Sequence, residues 1–183
     1  MGTLIYRNVA FVLGGAESVW NDLESARALC LPDMVVCVNE IGVDYPDEID
    51  HWVSYHGDLL ARLVKRREKL GLPNAKKLWM GLAKSRKAPK GIKHHPNKGG
   101  SSGLMATWIA LDNDATHVIL CGIPIDPKMK HYHDRDKGQV WKEAVKYHRH
   151  WKETVNRFNG RVRSCSGWTK ELLGPPTREW LEM

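Results

Sequence analysis

The chain lacks any apolar stretch approaching the ~20 residues that a membrane span needs, so no membrane partner is expected. It also lacks a CxxC pair. Its four cysteines, Cys30, Cys37, Cys121 and Cys165, are scattered. That spacing argues against a zinc site and for a reducing compartment, which is the cytoplasm, or the host cytoplasm if a phage encodes the chain. Cys37 and Cys121 fall inside apolar runs, where cysteine behaves as a small hydrophobe. Neither GxGxxG nor GxxxxGK(S/T) occurs, which removes the P-loop nucleotide hydrolases from consideration. No internal repeat is visible. The opening residues MGTLIYRNVAFVLGG carry no signal-peptide cleavage pattern and read as structure. Acidic residues are missing from Leu82 to Gly100, LAKSRKAPKGIKHHPNKGG, which holds Lys84, Arg86, Lys87, Lys90, Lys93 and Lys98. Much of the net charge of +7 is concentrated there. Such a run suits phosphate-rich partners, with Lys87, Lys90 and Lys93 as candidate nucleic-acid contacts, or it is a solvated loop. It has no Phe, Trp or Tyr, so base stacking from it is not expected. His94 and His95 are adjacent and have no carboxylate company in the run, so no metal is expected.

What is present reads as one domain. At 183 residues the chain is long enough to bury roughly 70% of its unfolded surface. RNVAFVL (Arg7 to Leu13), MVVCVN (Met34 to Asn39), HWVSYH (His51 to His56), KLWMGL (Lys77 to Leu82) and HVILCGIPID (His117 to Asp126) are short apolar runs of strand length. Between them lie helical patterns. Val19, Leu23, Ala26 and Cys30 recur at helical spacing behind Ser18, a residue type suited to an N-cap. In GDLLARLVKRREKLG the leucines face inward, Lys65, Arg66, Arg67 and Lys69 face water, and Gly71 ends the helix. Strands alternating with helices predict a three-layer α/β sheet, largely parallel. Residues 7–126 form its core and 127–183 a C-terminal, mostly helical extension or lid. In that extension QVWKEAVKYHRHWKETVNRF is a helix and RVRSCS a sixth strand. Trp108, Trp141 and Trp151 are read as core, and His51 and His56 as surface residues.

The stretch GGSSGLMATW, Gly99 to Trp108, crowds small residues at the mouth of an apolar helix. LGGAES after the first strand and VNE after the second repeat the theme. Ligands of open α/β sheets bind outside the carboxyl ends of the strands. Glycine lets backbone N–H groups approach a ligand, and a helix N-terminus favours negative charge. Gly14, Gly15, Ser18, Ser101, Ser102 and Gly103 are therefore expected to form a pocket for a phosphate or carboxylate.

The pattern GG-x-x-S, then VN, then SSG with an apolar helix, then a strand ending GIPID, resembles the small Rossmann-like bacterial sialyltransferases. It is also similar to their relatives, the motility accessory factor and pterin diphosphokinase-like proteins. The likeness covers roughly residues 7 to 126 and is clearest in SSGLMATWIALDNDATHVILCGIPID. SGWTKELLGPPTREWLE resembles small tailed-phage proteins, a likeness that implies no function. The resemblance implies a Rossmann-like fold that holds a cytidine-type nucleotide donor without metal or other cofactor. It puts Gly14, Gly15 and Ser18 near the phosphate or ribose, Asn39 near the base, ribose or transferred sugar, and Ser101, Ser102 and Gly103 in the donor pocket. The family's Asp directly after Gly-Ile is Pro124 here, and Asp126 stands two residues later on the same strand face. Tyrosines and a histidine after the fifth strand do the family's chemistry; His131, Tyr132 and His133 occupy that region here. Three functions follow as expectations. The first is a nucleotide-dependent, glycosyltransferase-like transferase. The second is a non-catalytic, phage-type binder that sequesters a nucleotide. The third is a protein that binds or modifies nucleic acid through the basic loop 84–98.

Overall fold

The computed structural model describes residues 7–81, 89–96, 101–132 and 140–183. Its centre is a sheet of seven strands, every pair of them parallel. They are β1 (Val9–Leu13), β2 (Met34–Val38), β3 (His51–Ser54), β4 (Lys77–Met80), β5 (Lys93–His94), β6 (His117–Cys121) and β7 (Val162–Ser164). The helices are α1 (Val19–Arg27), α2 (Ile41–Asp44), α3 (Gly57–Lys69), α4 (Ser102–Asp112), α5 (Val145–Thr154), α6 (Gly167–Leu173) and α7 (Arg178–Leu181). This is a three-layer, Rossmann-like α/β fold. No helix among the described residues is long and apolar enough to cross a membrane.

Period-two alternation divides the core into two layers. Ala10, Val12, Met34, Val36, Val118 and Leu120 face one side, under α4, Trp151, Phe158 and Leu173. Phe11, Leu13, Val35, Cys37, Ile119 and Cys121 face the other, under Val19, Leu23, Leu60 and Leu63. Helix α4 is apolar almost all round because it is covered almost all round; its residues from Gly103 to Leu111 are buried except Trp108. That indole lies 5.1 Å from the Phe158 ring, with the Arg157 guanidinium 4.9 Å away. Residues beyond 126 are part of the same construction: β7 pairs with β6, and Trp151, Phe158, Val162 and Leu173 belong to the first core layer.

Strand order is β5-β4-β3-β2-β1-β6-β7. The chain steps outward from β1 to β5, then crosses back to lay β6 on the other edge of β1. That reversal parts the loops leaving β1 and β6 and opens a crevice at their carboxyl ends.

Three local expectations are corrected. Lys93–His94 is a strand, one more than the six expected, paired to Trp79 and Met80 from within the basic run. The helix read continuously from Gln139 is shorter: a 3-10 turn over Lys142–Ala144, α5, and a second 3-10 turn over Val155–Phe158. Arg67 faces inward. It is fully buried, and its guanidinium donates to the carbonyls of Gly42 (2.9 Å), Tyr45 (2.5 Å), Asp47 (2.8 Å) and Pro73 (2.6 Å).

His51 also departs from the expected surface position. It is buried at the start of β3, and its Nδ1 accepts from the Trp79 indole N–H at 2.9 Å. Burial, seconded by Lys77, pushes its pKa down to about 4. An unfolded histidine titrates near 6.5. The unfolded chain therefore takes up a proton that the folded chain refuses, so this residue's contribution to stability is full above about pH 6.5 and is lost as pH falls toward 4. Urea denaturation at pH 7 and pH 4.5 tests it. The wild type should lose up to about 3 kcal/mol more over that interval than His51→Phe; equal losses would remove His51 from the account.

Candidate functional site

The crevice is a cleft of about 260 Å³ bounded by the loops after β1, β2, β3 and β6 and by the start of α4. That volume is near the lower end of the roughly 300–1,000 Å³ of small-molecule sites. Of the residues expected from the sequence, Gly14, Gly15, Asn39, Ser101, Ser102, Gly103, Asp126 and His131 all line it.

The two glycines after β1 do different work. Gly14 donates to the Cys121 carbonyl at 2.8 Å, and a Cβ on it would run into the Gly122 carbonyl and Ile123. It lets the ends of β1 and β6 touch. Gly122 completes the contact in left-handed backbone, φ +67°, where a Cβ would lie 2.6 Å from that of Val19. Gly15 has no atom within 4 Å of its Cβ direction, and it lines the cleft.

Asn39 closes β2. Its φ of 52° is left-handed, which Asn tolerates better than most residues. Its amide N–H donates to Val53 and its carbonyl accepts from the Trp52 indole at 2.7 Å. These bonds hold the strained backbone. Its side-chain Oδ1 is buried with no hydrogen-bond partner among the described residues. An unpaired buried acceptor costs about 1–3 kcal/mol, so this atom favours any ligand that brings a donor.

Ser101 caps α4, its hydroxyl accepting from Leu104 N–H. The amides of Ser102 and Gly103 have no acceptor within the helix because they belong to its first turn. The Ser102 hydroxyl accepts from Tyr55 N–H at 3.0 Å and so ties the loop after β3 to α4. Gly103 admits Ile123, which a Cβ there would meet at 3.0 Å.

The loop after β6 is held from behind by the C-terminal quarter of the chain. Thr169 donates its hydroxyl to the Ile123 carbonyl (2.5 Å) and its amide to that of Pro124 (3.1 Å). His148 Nε2 donates to the Ile125 carbonyl at 2.8 Å while its ring lies flat on Trp168, 3.7 Å away. These bonds over-determine a loop in which Ile125 sits at φ 45°, a costly place for a β-branched residue. Asp126 ends the loop in an Asx turn, accepting from Lys128 N–H.

The last wall is the segment 130–132, which runs antiparallel to 15–17. Ala16 pairs with His131, Tyr132 N–H donates to Gly15, and Glu17 N–H donates to Lys130. Neighbours on extended backbone point to opposite sides, so only one of His131 and Tyr132 can enter. His131 does. Tyr132 is corrected: its ring meets Trp20 edge-on, 5.7 Å away, and does not line the cleft. Ser18 is corrected as well. It stands at the N-cap position of α1 as expected, but its hydroxyl donates to Asp22 (3.0 Å) and lies 3.2 Å from the Ser166 hydroxyl rather than bonding a first-turn amide, and it does not line the cleft. Asp22 gathers Ser18, Ser166 (2.6 Å) and the Gly122 amide (2.8 Å) onto one oxygen. That knot joins α1 to the turns after β6 and β7.

Sequence reasoning missed Trp141 and Tyr147, which were placed in the helical extension and which line the cleft, and His56, Glu40 and Lys130. Trp151 is core as expected; Trp141 is half-buried, packing against the first core layer while also lining the cleft. Lys90 and Lys93 lie outside the cleft lining; Lys93 is on the sheet-edge strand β5, its ammonium 5.4 Å above the Trp79 ring. His133 and Lys87, like Lys84, Arg86 and Lys98, fall outside the described residues. Among the described residues no group of three or more His, Cys, Asp or Glu is placed to hold a metal ion. Comparison of the chain with protein-family models, curated proteins and solved structures finds no match.

Proposed function

We propose that the cleft binds a nucleotide or nucleotide sugar and that the protein is a glycosyltransferase-like transferase acting on such a donor. One observation carries the reading. The three small-residue turns border a single cleft where the strand order reverses, with Gly15 open to it and Asn39 Oδ1 unpaired beside it. The phosphate end belongs at Gly15 and the Ser102 and Gly103 amides, all favourable to an anion. Asn39 Oδ1 accepts from a ribose or sugar hydroxyl or a base amine. In the transfer, the bond from the donor sugar to the nucleotide phosphate breaks and a bond from the acceptor oxygen forms. His131 takes the acceptor's proton as general base, the one imidazole of the segment 130–132 and a lining residue of the cleft.

Thermal unfolding with a panel of nucleoside mono- and diphosphates and nucleotide sugars tests this. A ligand at a hundredfold its Kd adds about 2.7 kcal/mol, which at this chain length raises Tm by roughly 5–10 °C. No shift with any member of the panel ends the reading. The outward Tyr132 favours a second reading, binding without turnover, because of the two expected catalytic residues that are described only His131 lines the cleft. A nucleotide sugar that raises Tm and is recovered intact after incubation with sugar acceptors selects it.

A further inference from the structure

We propose that Trp141 is a stacking platform for the base of a nucleoside phosphate whose phosphate end lies against Gly15 and the first turn of α4. The inference rests on the nucleotide reading above and adds which wall receives the flat part of the ligand.

Three rings make that wall. The Trp141 indole lies 5.9 Å from the His131 ring and 5.3 Å from the Tyr147 ring, and all three line the cleft. Both neighbours meet the indole tilted, at 52° and 37°, so neither stacks flat on it. Trp168 shows the contrast, since His148 lies parallel to it at 3° and takes up that face. Trp52 and Trp151 are fully buried, and Trp141 is the tryptophan that lines the cleft among the described residues.

The wall is also held in place. Trp141 N–H donates to the Met129 carbonyl, and Val140 bridges to Lys130. The next residue along, His131, pairs with Ala16 beside Gly15. Two short antiparallel pairings therefore carry the indole at a set position relative to the open glycine. A stacking surface and an anion site on one backbone frame match a molecule with a flat ring at one end and a phosphate at the other. Nucleoside 5′-phosphates have that form.

Calorimetric titration of the full chain with CMP, UMP, AMP and GMP, each against ribose 5-phosphate, reads the platform directly. At least one nucleotide should bind about tenfold or more tighter than ribose 5-phosphate, the ratio that one base–aromatic stack supplies. Trp141→Leu should abolish that ratio while leaving ribose 5-phosphate affinity within about twofold of the wild type. Trp141→Phe should keep most of it. If Trp141→Leu does not fold, Tyr147→Leu, which removes the ring tilted against the indole, should lower the ratio instead. Equal wild-type affinity for nucleotides and ribose 5-phosphate overturns the proposal and makes the wall a sugar surface. A ratio unchanged in Trp141→Leu, or in Tyr147→Leu where that variant stands in, overturns it too, and in both cases the nucleotide reading stands. Failure of every probe to bind the wild type removes the nucleotide reading and the platform with it.

Discussion

Arg67→Leu is expected to cost about 3–5 kcal/mol of folding stability, the range for breaking a buried polar network, and to lower Tm by roughly 10 °C. The guanidinium is fully buried and bonds four backbone carbonyls, those of Gly42, Tyr45, Asp47 and Pro73. Three of those lie in the connection from β2 to β3, and the fourth follows α3. The arginine ties the turn around α2 to the loop that follows α3. Burial works against its charge and pulls its pKa below the ordinary guanidinium value. Leucine would fill part of the volume and leave four acceptors without a donor, each costly to bury. Arg67→Lys should recover only part of the loss, because an ammonium cannot span the fork of a guanidinium. The surface supplies the control. The Arg27–Asp47 bridge at 3.1 Å is solvent-exposed on both sides, and Asp47→Ala should cost less than about 1 kcal/mol. Chemical denaturation of the three variants decides it; an Arg67→Leu cost no greater than that of Asp47→Ala would show that water replaces the guanidinium.

Arg67 also shows where sequence reading stops. Leu60, Leu63 and Arg67 are spaced three and four apart, so position 67 lies on the buried stripe of α3. The period was legible, but residue type argued the other way. The sheet itself was readable because five of its strands are apolar runs that must be covered on both faces. β5 was not, because Lys93–His94 has no apolar side chain to mark a strand and both residues are exposed. At the cleft, the glycine turns were readable from the conformations they permit. Trp141 packs on the core as read, but its place on the cleft was not legible, because it precedes the 3-10 turn and no helical period sets where it points. Thr169 and His148 carried no local signal at all. Their role is to bond the carbonyls of Ile123 and Ile125, and only the tertiary fold brings them within reach.

The paired glycines give the sharpest separation of packing from binding. Gly14→Ala should destabilise the fold by about 2–4 kcal/mol, since its Cβ would meet the Gly122 backbone carbonyl, which cannot swing aside as a flexible side chain can. Gly15→Ala has open space ahead of it and a backbone outside the left-handed region. It should leave stability unchanged or raise it by about 0.4–1 kcal/mol, through loss of freedom in the unfolded chain. Gly15→Leu carries the argument into the cleft. It should fold, yet fill the space that the nucleotide reading assigns to the phosphate, and weaken binding of any nucleotide that stabilises the wild type by about a hundredfold or more. Neighbouring glycines would then differ in kind, Gly14 fixing how two strands end and Gly15 leaving room for what binds there. Urea denaturation measures the first effect and calorimetric titration the second. Full nucleotide affinity in a folded Gly15→Leu would move the anion site away from the turn after β1, leaving the start of α4 to hold it.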